Sequence, residues 1–112
     1  MARDRDSESV VLSDEGDGHF AIKGELTFDT VGRLLDDGQK RFEEHSRITV
    51  DLAEVADADS AGLALLLEWV TWANHTVREI NYLNVPQRVT NIASISEVDG
   101  LLNAAERWRG FL

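Results

Sequence analysis

Between residues 47 and 74 the hydrophobic period changes from two to about 3.6, and that change sets the class of fold. In Arg47-Ile-Thr-Val-Asp-Leu52 the apolar Ile48, Val50 and Leu52 alternate with Thr49 and Asp51, the pattern of a strand with one buried face. After a loop, Ala53 to Asp59, a run of good helix formers spans Ser60 to Asn74, with Asp59 or Ser60 as its cap. A strand feeding a helix is half of a β-α-β unit, so the chain needs further strands to pair with and helices to cover them.

The flanking segments supply both. Val10-Val-Leu12 and His19-Phe-Ala-Ile-Lys23 are β-prone runs around Ser13-Asp-Glu-Gly-Asp-Gly18, a turn-forming stretch, and together predict a hairpin. Thr27-Phe-Asp-Thr30 offers caps for a helix over Thr30 to His45, with Val31, Leu34, Leu35 and Phe42 on its apolar side. Arg78 to Val85 reads as a strand ended by Pro86, which suits the first turn of a helix through Val89, Ile92 and Ala93. A short last helix is expected over Leu101 to Arg107. The order β-β-α-β-α-β-α-α implies an α/β fold, a mostly parallel or mixed sheet covered by helices. Residues 1–9 are polar and charged and are expected to form a flexible arm, leaving 10–112 as the domain.

Composition narrows the function. With 21 acidic against 11 basic residues the net charge is -10, the wrong sign for attraction to nucleic acid or anionic lipid. The absence of cysteine removes thiolate metal sites and a cysteine nucleophile. His19, His45 and His75 stand in no ligand motif, so no metal is expected. The pairs Asp36-Asp37 and Glu43-Glu44 read as a solvated helix face, and no Gly-rich phosphate cradle occurs, so neither a cofactor nor an enzyme is expected. The longest apolar run, Ala61 to Leu67, is far below the roughly 20 residues that span a bilayer. No secretory apolar region follows the charged start, and a cytoplasmic protein without direct membrane insertion is the expectation.

One segment resists a purely structural account. In Asp59-Ser-Ala-Gly-Leu-Ala-Leu-Leu-Leu67, Ser60 reads as a helix cap and Gly62 as a small residue permitting close packing. Yet glycine in a first helical turn costs up to ~1 kcal/mol relative to alanine. Moreover Gly62, Leu65, Leu66, Trp69 and Ala73 share one side of the helix while Leu63 and Leu67 lie on another, beside Ser60. A docking face centred on Ser60, with Leu63 and Leu67 exposed as its apolar contacts and Asp57 and Asp59 as its acidic rim, explains both features. Which side of the helix meets the core is left open by the spacing.

Asp51-Leu52, Val55 and Asp59-Ser-Ala-Gly-Leu63 resemble the signature of STAS domains, the family of anti-sigma factor antagonists and of the tails of sulfate transporters. Asp59 to Leu67, with Tyr82-Leu-Asn-Val-Pro86 and Ile92 to Leu102, looks most like the branch found in Mla phospholipid transporters, which maintain outer-membrane lipid asymmetry. The resemblance implies a regulatory subunit that binds an ABC transporter ATPase subunit (MlaF-like) within a complex holding permease and lipid-binding subunits. It would sit in the cytoplasm, peripheral at the inner membrane through that partner. The residue after the signature Asp maps to Ser60. In antagonists this position is a phosphorylated Ser, and in Mla subunits a Thr at the ATPase interface. Ser60 is accordingly also a possible phosphosite, and an anti-sigma factor antagonist is the alternative.

Overall fold

The computed structural model describes residues 10–95. Strands β1 (Val10–Gly16) and β2 (His19–Leu26) form the expected hairpin, each longer than the apolar runs alone indicated. Gly16, Asp17 and Gly18 all take positive φ at its turn, which the two glycines and an aspartate tolerate. Helix α1 (Val31–Phe42) follows, ending one turn before the expected His45. Then come β3 (Arg47–Ala58), α2 (Ser60–His75), β4 (Glu79–Leu83) and α3 (Gln87–Ile95). The expected helix over Leu101 to Arg107 and the arm over 1–9 lie outside the described residues.

The sheet order is β1-β2-β3-β4, with β1 antiparallel to β2 and the other pairs parallel. Each parallel pair is joined through a helix, as crossover connections require. Register aligns Phe20, Val50 and Tyr82 in one row across β2, β3 and β4, and pairs Leu12 with Ile22. These side chains are buried with Ile48 and Ile80 under the helices. Phe42 of α1 meets Phe20 edge-on at 5.0 Å, and the Tyr82 hydroxyl donates to the Leu66 carbonyl of α2 at 2.6 Å.

Two expectations are corrected. The loop over Ala53 to Asp59 is strand as far as Ala58, because β2 extends to Leu26 and pairs with it through two register shifts. Such bulges erase the strict alternation by which a strand is read from sequence. Leu63, expected on an exposed docking face, is 5% exposed and belongs to the core, and Leu67 is half-buried against it. Helix α2 packs on the sheet and against both α1 and α3, so apolar residues are needed around most of its circumference.

Candidate functional site

Strands β2 and β3 end side by side, Leu26 opposite Ala58, and the loops leaving them are tied together by one carboxylate. Asp59 has extended backbone geometry and caps α2, its Oδ1 accepting from the Ala61 amide at 2.9 Å. Its Oδ2 accepts from the Phe28 amide at 3.2 Å, and its own amide donates to the Leu26 carbonyl at 3.2 Å. Thr30, fully buried, completes the clamp: its Oγ1 donates to the Glu25 carbonyl at 2.9 Å and accepts from the Thr27 amide at 3.0 Å. The cap left open between Asp59 and Ser60 is therefore Asp59. Ser60 is the first helical residue, exposed, and its hydroxyl makes no hydrogen bond within the described residues.

The other expected residues divide into frame and surface. A Cβ on Gly62 would stand 2.5 Å from the Leu26 carbonyl oxygen, so this glycine lets α2 start against the end of β2. Leu63 belongs to the same frame. Asp57 is exposed and pairs with Arg88 of α3 at 3.0 Å while accepting from the Ala58 amide. Asp57, Ser60 and the margin of Leu67 thus remain on the surface at one end of the molecule, where the carboxyl ends of parallel strands place binding residues in open α/β sheets.

Sequence reading missed an apolar feature of this end. Phe28 is 81% exposed, although its amide is held by Asp59. Its ring lines a groove of about 350 Å³ between α1 and α2, walled by Val31, Leu35, Ala61, Ala64 and Leu65. The signal was present as a large aromatic in the turn Thr27-Phe-Asp-Thr30, where no helical or strand period gives it a core to enter.

The opposite end holds a wider depression of about 700 Å³, lined by Arg47, Val77, Arg78 and Glu79 among others. Arg78 is a structural staple there: it donates to the His45 and Glu43 carbonyls at 3.0 and 2.8 Å and stacks over Trp72 at 5.1 Å. Burial pushes the Tyr82 phenol up, which keeps it protonated, and no cluster of three metal-ligating side chains occurs among the described residues. What the Ser60 end offers among the described residues is a hydrogen-bonded loop surface with a hydroxyl that makes no hydrogen bond, carboxylates and an apolar groove, which suits recognition of a partner.

A family model described as "Mlab, STAS domain" matches residues 6–103. No curated protein matches the sequence. Among solved structures, the Bacillus cell fate determinant SpoIIAA in its phosphorylated form aligns with a TM-score of 0.61 at 17% identity, over 82% of this chain and 86% of that one. The unphosphorylated form of this anti-sigma factor antagonist aligns at 0.59 and 17%, over 77% and 82%. SLC26A9 also aligns at 0.59 and 17%, over 82% of this chain but only 17% of its own length. These likenesses establish a shared fold, and the family match covers most of the chain. The chain belongs to the STAS family and has its fold.

Proposed function

We propose that this STAS domain is a non-catalytic regulatory and assembly subunit of an ABC-type phospholipid transport system of the Mla kind. It docks on the ATPase subunit through the N-terminal end of α2, in the cytoplasm and at the inner membrane through that partner. The observation that carries the reading is Ser60, an exposed hydroxyl without a hydrogen bond among the described residues, on a helix start fixed by Asp59, Thr30 and Gly62. A rigid frame lowers the entropy lost on binding, and the unused hydroxyl leaves a donor and an acceptor for the partner. The family model's description supports the transporter setting. The charge of -10 suits a basic patch on an ATPase better than a lipid surface. Asp57 lies beside Ser60 as the acidic rim, with Leu67 at its margin, while Asp59, expected on that rim, serves with Gly62 and Leu63 from within.

The second reading is an anti-sigma factor antagonist controlled by phosphorylation at Ser60, favoured by the alignment with both forms of SpoIIAA. Capture of the tagged full chain from its own cells separates the two. An ABC ATPase retained by the wild type and lost with Ser60→Arg supports the transporter reading, since a cation there opposes the partner's basic patch. Recovery of a serine kinase in place of the ATPase overturns it in favour of the second.

A further inference from the structure

We propose that the groove between α1 and α2 seats an amphipathic helix of the partner, apolar on one side and flanked by Lys or Arg, with Phe28 as the anchor on this chain. The inference rests on the reading that this end of the molecule docks on a protein. Phe28 is 81% exposed and continuous with the apolar lining of the groove, and its backbone is pinned by Asp59 and the neighbouring Thr30 network. A fixed exposed aromatic at the edge of an apolar depression has the character of a binding hot spot.

The shape and lining choose the occupant. A small-molecule site would enclose its ligand and present several placed polar groups, whereas this groove lies along the surface between two helices and Glu68 is its one charged lining residue among those described. An added strand would need a free sheet edge, and neither edge strand, β1 or β4, contributes a residue to the described lining of this groove. A third helix laid along two others needs only an apolar stripe. Charge sets its flanks. Glu68 lines the groove, the exposed Asp29 directly follows its anchor Phe28 in the chain, and no Lys or Arg is among its described lining residues. Acidic flanks on the incoming helix would be repelled and basic ones attracted.

The test titrates the full chain with a synthetic amphipathic helix of leucine and lysine, and separately with its leucine and glutamate counterpart, following backbone amide signals by NMR. The lysine peptide should shift Val31, Leu35, Ala61 and Ala64, and the glutamate peptide should bind at least about tenfold more weakly. Phe28→Ser and Ala64→Gln, the latter filling the groove without changing its charge, should each weaken the lysine peptide by about tenfold while melting curves stay near wild type. Shifts centred elsewhere, or variants that bind as well as wild type, mean that net charge alone attracts the peptide, and they overturn the proposal. The peptide result is independent of ATPase capture. A groove that binds in a chain that captures no ATPase removes only the partner's identity, and capture without groove binding removes only the seat.

Discussion

Trp69 of α2 packs directly against Gly38 in α1: a Cβ built on Gly38 would overlap the indole, 2.9 Å from Cε2. The ring is fully buried and meets Phe42 at 5.0 Å and 74°, so Gly38 is the position that lets α1 approach α2. That approach fixes the separation of the two helices whose facing sides form the groove.

Gly38→Ala sets helix propensity against packing. Alanine gains up to about 1 kcal/mol within a helix, but crowding a filled core costs about 1–3 kcal/mol. Because the nearest atoms belong to a ring wedged by Phe42, packing should win, with a net loss of about 1–2 kcal/mol in chemical denaturation. A more stable variant would show that the indole has room to move.

Tyr82 gives the fold an alkaline limit. Burial raises its phenol pKa well above 10.0, so the folded chain holds the proton while the unfolded chain releases it near that value. The contribution to stability is complete below pH 10 and is lost as pH rises from there through the folded value. Tyr82→Phe should cost about 1 kcal/mol at neutral pH, for the lost bond to the Leu66 carbonyl, and should flatten the alkaline fall in stability. The ultraviolet absorbance of the single tyrosine reports the ionisation directly. A phenol that titrates near its ordinary value without unfolding would contradict the burial.

Val77 ends α2 in a conformation suited to another residue. It has φ 57 and is 90% exposed, within a closure in which the Arg78 amide donates to the Ala73 carbonyl at 2.8 Å and the Val77 amide to the Asn74 carbonyl at 3.4 Å. Gly or Asn ordinarily fills this position, since a β-branched side chain is strained there by roughly 1–2 kcal/mol. The exposed isopropyl group adds little packing that its removal could cost. Val77→Asn should therefore raise stability by about 0.5–1 kcal/mol, read as a higher melting temperature. An unchanged or lower melting temperature would mean that the valine side chain offsets its own backbone strain.

The β-α alternation was legible because Ile48, Val50 and Leu52 keep a strict period of two and the Ser60 helix is long. The second half of β3 was not, since Ala53, Glu54, Ala56 and Asp57 follow no period and owe their strand geometry to the extension of β2. Amphipathic spacing puts Leu63 on the surface because it assumes one buried side, whereas α2 has neighbours on both flanks. Asp59 and Ser60 are both good caps at adjacent positions, and only the hydrogen bonds to Phe28 and Ala61 decide between them. Phe28 escaped because its significance lies in a groove made by residues far apart in sequence.

Those hydrogen bonds separate framework from contact at the proposed docking end. Asp59→Ala removes the cap of α2 and the tie to the Phe28 amide together, and should cost about 1–2 kcal/mol of stability. Ser60→Ala removes a hydroxyl with no partner in the described residues, so its cost should stay within about 0.5 kcal/mol. Partner binding should follow a different order once both variants are folded. Ser60→Ala should weaken ATPase capture directly, by loss of a hydrogen bond at a desolvated interface. Asp59→Ala should weaken it through the loosened loop, an effect that addition of stabilising osmolyte reduces, because osmolytes favour the ordered frame. Denaturation curves beside capture with and without osmolyte test the division. A large stability loss in Ser60→Ala, or a capture defect in it that osmolyte cures, would place Ser60 with Asp59 in the frame.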